Sequence, residues 1–229
     1  MSDSNSPTAN AAPGASFTAP VSLSDALGAF AELVAEGTPT PGGGSVAAHC
    51  GMLAAALGRM VCNITIGKPK YAAAEERLKQ VNAALEQQGA RLRELIVEDA
   101  ASFEAVRDAY RLPKGTDDEK AERQRQIESA TWGATNTPYE TARRSLEVLR
   151  LLAEVARLGN QNALSDAAVG GQLAQTAVKG ACYNVAINLG TITDRERAAE
   201  IERQVESLIK DAEAIAREIE SRMLTQHLG

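Results

Sequence analysis

Apolar positions recur along this chain at helical spacing, and the two-residue alternation of strands is nearly absent. Seven segments show helical character, separated by short breakers of the length that joins bundle helices. The first runs from Ser22 or Ser24, each an N-cap candidate, to a stop near Gly37. The stretch TPTPGGGS (38–45) breaks the chain and opens a second, which ends at Gly67. GKPKY (67–71) leads into a long third helix reaching about Arg111. LPKG (112–115) ends that helix, and Thr116 with Glu119 forms a capping box for a fourth. Thr137, followed by Pro138 and Glu140, predicts a fresh start for a fifth, which stops at Gly159 before the turn GNQN. A sixth spans Ala163 to Leu189, and Thr193 with Glu196 opens a last, charged helix. The expectation is an all-α, single-domain bundle of several helices with short connections over 21–229. Residues 1–20, rich in Ser, Asn, Pro and Ala, read as a disordered tail rather than a signal peptide.

Two of these segments stand apart. Between Ser45 and Ile66 the only charge is Arg59, and between Ala163 and Leu189 only Asp166 and Lys179 are charged. A helix apolar all round has to be covered on all sides. One seven-helix domain encloses one such element easily and two with difficulty, so a homodimer through small-residue faces is expected. Gly170, Gly171 and Gly180 fit that expectation: each costs about 1 kcal/mol inside a helix and is better explained by close backbone approach. The second segment has the length of a membrane span, but His49, Arg59 and Asn63 among small residues make it a buried helix instead.

Composition narrows the function classes. Aromatics are 3% of the chain, so the core has to be assembled from small side chains. A net charge of −6 and a pI near 5.1 argue against nucleic acid or an anionic membrane as a partner. Cys50, Cys62 and Cys182 form no CxxC pair and suit no disulfide framework, which points to reduced thiols in a cytoplasmic protein. With His49 and His227 as the only histidines, no metal site is expected.

The third helix carries an apolar stripe at Leu85, Leu92, Leu95, Ile96, Phe103 and Val106, and Asp99 falls inside it. A carboxylate on a buried face loses solvation and its pKa rises, as a general acid or base working near neutrality needs. A buried Asp bonded to a neighbouring helix explains the same position equally well. Asn184 and Asn188 share one face of the sixth helix and need partners, on a facing helix or on a ligand with amide-like edges. Ser165 and Asp166 suit the first turn of that helix. PGGGS lacks the spacing of a phosphate loop; it reads as a sharp helix entry whose free N–H groups can receive a carbonyl or an anion. Lys68, Lys70 and Lys114 sit in breakers beside helix ends.

Taken together, TPTPGGGSVAA (38–48), MVCNITIGKPKY (60–71), EDAASFEAV (98–106), RLPKGTDDEK (111–120) and GNQNALSDAAVG with NVAINL (159–189) resemble one family. It is the formiminotransferase-cyclodeaminase and methenyltetrahydrofolate cyclohydrolase family, in its free-standing form, and the likeness covers about residues 22–225. The resemblance implies an all-helical dimer acting on tetrahydrofolate-bound one-carbon units, with no cofactor beyond that substrate. It places the catalytic aspartate on Asp99. It makes Lys68, Lys70 and Lys114 candidate contacts to the folate carboxylates or pterin, and Asn63, Ser165, Asp166, Asn184 and Asn188 candidate pocket residues. Some relatives carry Arg between the two asparagines where this chain has Ala186, so any contact made by that Arg is missing or replaced. The expected activity is methenyltetrahydrofolate cyclohydrolase. The alternatives are formiminotetrahydrofolate cyclodeaminase and, from another class, a non-catalytic oligomerisation module.

Overall fold

The computed structural model describes residues 23–227; the tail expected at 1–20 and the N-cap candidate Ser22 lie outside the described residues. Regular structure among the described residues is helical throughout: α1 (Leu23–Ala35), α2 (Gly43–Asn63), α3 (Glu75–Tyr110), α4 (Asp117–Leu158), α5 (Leu164–Leu189) and α6 (Arg195–His227). Short 3₁₀ turns at Pro69–Ala74 and Gln161–Ala163 lead into α3 and α5. The described residues divide into two compact units between Thr38 and Pro39, and α1 belongs to the first. Ser24 lies inside the first turn of α1 rather than at its cap, and the chain leaves α1 through Gly37, whose φ of +76° favours glycine.

In the second unit α2 packs on α3, α4 and α5, while α6 closes against α4 and α5. The core is aliphatic: Leu78, Leu85, Leu92 and Leu95 of α3 meet Leu149 and Leu152 of α4, Ala48, Ala54 and Ala55 of α2, and Ala174 and Val178 of α5. α6 buries a strict seven-residue repeat, Ala198, Val205, Ala212 and Ile219, and leaves its charges in water. Small residues set the spacing. A Cβ on Gly58 would sit 2.8 Å from Leu85, and one on Gly170 would sit 3.1 Å from Leu152. The three glycines that raised the expectation of a dimer are used inside the chain. Gly170 faces Leu152 and the Ala54 carbonyl, Gly171 faces Ile219, and Gly180 faces Ala47.

The capping box of Thr116 and Glu119 forms as expected, each group bonding the other's backbone N–H. Two other local readings fail. α6 is capped by Asp194, which accepts from the Arg197 N–H at 3.1 Å, while the Thr193 N–H is held by Glu128 of α4. The predicted break at Thr137–Pro138 does not occur: α4 runs unbroken from Asp117 to Leu158 with Pro138 buried inside it. Proline has no N–H, so the carbonyl four residues earlier, on Ala134, loses its helical donor. The Asn188 side chain of α5 supplies one, with Nδ2 2.8 Å from that oxygen. A signal that ends an isolated helix is thereby compensated by a residue 54 positions away.

This pairing predicts a measurable coupling. Asn188→Ala strands the Ala134 carbonyl and should cost about 1–3 kcal/mol. In a Pro138→Ala background the backbone N–H returns, and the same substitution should cost far less. A urea-denaturation cycle over the four proteins should give a coupling of at least about 0.5 kcal/mol. An equal cost of Asn188→Ala in both backgrounds rules the compensation out.

Candidate active site

Asp99 projects from α3 onto the start of α2. That start is built from three consecutive glycines, Gly42 at the cap and Gly43 and Gly44 in the first turn, followed by Ser45. The first N–H groups of any helix have no partner within it, and Gly42 offers no side chain to cap them. The Asp99 carboxylate fills the role from a different helix. Its Oδ2 accepts from the Ser45 hydroxyl at 2.9 Å, and the Ser45 backbone N–H also donates to it. Only glycine fits beneath it, because a Cβ on Gly44 would lie 2.2 Å from Oδ1. The triple glycine costs helix propensity at this entry, and the close approach of Asp99 explains it.

Desolvation by the surrounding helices pushes the Asp99 pKa up, against the opposing pull of the Ser45 hydroxyl and N–H. The hydroxyl serves both charge states. It lies 2.9 Å from the carboxylate and 3.1 Å from the Ile96 carbonyl. When Asp99 is ionised, Ser45 donates to it; when Asp99 is protonated, the Ser45 hydroxyl can accept a hydrogen bond from the carboxyl O–H and turn its own hydrogen to the Ile96 carbonyl. A carboxyl that loses and regains a proton without stranding its partner is suited to acid–base work. Asn184 of α5 completes this end of the bundle. Its amide donates to the Gly180 carbonyl at 2.9 Å and packs on Gly43, whose Cβ position is 3.5 Å from Nδ2.

The other candidates divide by the direction of the helices. α2 and α3 are antiparallel, with Ser45 beside Asp99, Gly89 beside Ala55, and Asn63 bonded to Asn82 at 2.9 Å. α5 also runs against α2, since Asn184 lies by Gly43 and Gly170 by Ala54. The far end of α2 therefore collects Asn63, Lys68 and Lys70 together with the start of α5, where Ser165 and Asp166 lie. Tyr71 ties the loops there together: its hydroxyl donates to Asn160 Oδ1 at 3.3 Å and accepts the Gln161 N–H at 3.3 Å. Ser165 is exposed, and Ala163 rather than Ser165 takes the cap position of α5. Twenty-one residues of α2 at 1.5 Å each separate the two groups by about 30 Å. Lys114 follows α3 on the Asp99 side and is exposed. Asn188 lies one turn beyond Asn184, and its amide is committed to Ala134.

Sequence reasoning missed Ser45 as the partner of Asp99 and Pro138 as the partner of Asn188. The run of glycines before Ser45 carried the first signal, and nothing local carried the second. The apolar stripe around Asp99 is real at Leu85, Leu92 and Leu95, while Phe103 is exposed. Burial pushes the Cys62 thiol up to about 11 and Cys182 up to about 12, which removes both as nucleophiles near neutrality. No cluster of three or more metal-ligating side chains occurs among the described residues.

Comparison with known proteins aligns most of the chain. The formiminotransferase-cyclodeaminase family profile matches residues 26–207. A methenyltetrahydrofolate cyclohydrolase from Methylorubrum extorquens is 42% identical over 81% of this chain and 89% of its own length. The formimidoyltransferase-cyclodeaminase of Rattus norvegicus is 33% identical over 85% of this chain, which spans only 36% of that longer protein. The crystal structure of a formiminotetrahydrofolate cyclodeaminase from Thermotoga maritima superposes with a TM-score of 0.74 at 29% identity, covering 88% of this chain and 95% of that one.

Proposed function

This chain belongs to the formiminotransferase-cyclodeaminase family, and on that premise we propose that it is a methenyltetrahydrofolate cyclohydrolase, with Asp99 as its proton carrier. The observation that carries the reading is the half-buried Asp99 carboxyl, held against Ser45 at the glycine start of α2. In this reaction water attacks the amidinium carbon bridging N5 and N10 of the folate and gives up a proton to the Asp99 carboxylate. The tetrahedral intermediate collapses: the bond from that carbon to N5 breaks, Asp99 returns its proton to N5, and the hydroxyl becomes the formyl carbonyl on N10. The second proton of water leaves to solvent. The electrophile arrives already positively charged, so the reading calls for no metal and no redox cofactor. An ionised Asp99 also stabilises that charge while the substrate is bound. The protein acts in the cytoplasm, with its thiols reduced.

A second reading is favoured by the likeness to the Thermotoga protein. A cyclodeaminase closes the same ring from formiminotetrahydrofolate and expels ammonia, through the same kind of tetrahedral carbon and with the same need for one mobile proton. The higher identity to the cyclohydrolase orders the two. Purified protein supplied with each substrate separates them. The expected result is accelerated loss of the methenyl compound and no ammonia from the formimino compound. Ammonia release without methenyl hydrolysis reverses the order. Activity on neither substrate leaves the oligomerisation module as the surviving alternative.

A further inference from the structure

We propose that Phe103 is the stacking platform of the active site, holding the aminobenzoyl ring of the folate against α3 one turn beyond Asp99. The inference deepens the folate reading above and rests on it.

The inward face of α3 is one continuous stripe. Leu78, Leu85, Leu92 and Leu95 follow one another along it fully buried, and the next two positions are Asp99 and Phe103. The cover over this face is α2, which runs antiparallel to it. Gly58 packs on Leu85, Gly51 on Leu92 and Gly44 on Asp99, each pair seven residues from the last. There α2 ends, because its first residue is Gly43. The stripe runs one turn further without that cover, and Phe103 keeps 42% of its surface accessible. What marks this phenyl is its place: the core-facing side of α3, in the turn after the proton carrier. Four residues of helix set it about 6 Å along the axis from Asp99.

The substrate presents a flat ring at that distance. In methenyltetrahydrofolate the bridging carbon is bonded to N5 of the pterin and to N10, and the aminobenzoyl ring follows directly on N10. Asp99 works at the carbon and at N5. The pterin, with its amide-like edges, suits the polar side of the site, where Asn184 of α5 packs on Gly43. The aryl ring suits the apolar side, on α3. Its conjugation with the amidinium leaves it electron-poor, which strengthens its attraction to a phenyl face. The glutamate tail then runs on along α3 in the direction of Lys114.

The test compares Phe103→Ala, Phe103→Leu and Phe103→Tyr in the full chain, with methenyltetrahydrofolate as substrate. Phe103→Ala should raise KM by about 5–100-fold, the range that loss of one stacked ring produces. It should leave kcat within about threefold, because the proton carrier stays in place. Phe103→Tyr keeps the ring and should hold KM within about twofold of wild type, whereas Phe103→Leu keeps the bulk without a π face and should not. The urea midpoint of Phe103→Ala should match that of wild type. Inhibition by fragments identifies the stacked ring: p-aminobenzoylglutamate should weaken by the same factor as KM in Phe103→Ala, and a tetrahydropterin should inhibit both proteins alike. An unchanged KM in Phe103→Ala overturns the proposal. So does a Phe103→Leu variant as good as Phe103→Tyr, or a loss confined to the tetrahydropterin. A lower urea midpoint or altered sedimentation with KM unchanged shows that protein, from this chain or a second copy, covers the ring, and overturns it as well. If the wild type acts on neither folate, the functional reading fails separately. Calorimetric titration with 5-formyltetrahydrofolate then decides: binding weakened in Phe103→Ala supports the platform, and unaltered or absent binding overturns it.

Discussion

Asp99→Asn should keep the helical fold and lose about 10²–10⁴-fold in turnover, the range a single positioned proton carrier supplies. Asparagine has nearly the shape of aspartate and can still accept from Ser45, so the start of α2 stays capped. It cannot carry a proton. Circular dichroism and one rate measurement on each protein test the claim, and turnover within a few-fold of wild type removes Asp99 from the chemistry. The pH behaviour adds an independent readout. Burial raises the Asp99 pKa above its ordinary 3.8, so the folded protein holds this proton more tightly than the unfolded chain does. Below 3.8 both states are protonated and the group has no effect on stability. As pH climbs from 3.8 to the raised value, the unfolded chain ionises first and the folded state is progressively disfavoured. Asp99→Asn cannot ionise, so its stability relative to wild type should rise with pH across that window. The wild-type rate should carry an acid limb displaced above 3.8, and the variant should lack it. A stability difference that is flat with pH contradicts the burial argument.

Gly44→Ala should lose as much activity as Asp99→Asn while unfolding at nearly the same denaturant concentration. The added methyl would lie 2.2 Å from Oδ1, 2.7 Å from the carboxyl carbon and 2.8 Å from Oδ2 of Asp99. Backbone at a helix start moves reluctantly, whereas the carboxyl ends a flexible side chain, so Asp99 swings away and its bond to Ser45 breaks. Two effects on stability then oppose one another. Alanine is a better helix former than glycine by about 1 kcal/mol, and the lost hydrogen bond costs about 0.5–1.5 kcal/mol. Activity has no such compensation, because a displaced carboxyl no longer reaches the reacting nitrogen. Normal turnover in Gly44→Ala would show that the carboxyl position seen here is not the working one.

Much of the helical frame is written in local residue patterns. Thr116 and Glu119 are three residues apart and cap α4 as their spacing requires, and Gly159 with GNQN closes it. Asp99 could be singled out because its neighbours at helical spacing are buried leucines, a relation contained within two turns of one helix. The partner of Asp99 could not be read in the same way. Ser45 lies 54 residues away, and the glycines before it announce free N–H groups without saying which anion answers them.

By itself the sequence determined an all-helical chain with an acid on the inward face of α3, because periodicity and capping act over three or four residues. Tertiary structure decided what those elements mean together. It merged two predicted helices into α4, because Asn188 supplies the donor that Pro138 withholds. It directed the glycines of α5 to neighbours within the chain. It also set the candidate site residues at opposite ends of a 21-residue helix, because antiparallel packing carries positions that follow one another along the chain to far ends of the bundle. Contacts between residues fifty or more positions apart depend on where whole helices come to rest, and no local pattern records that.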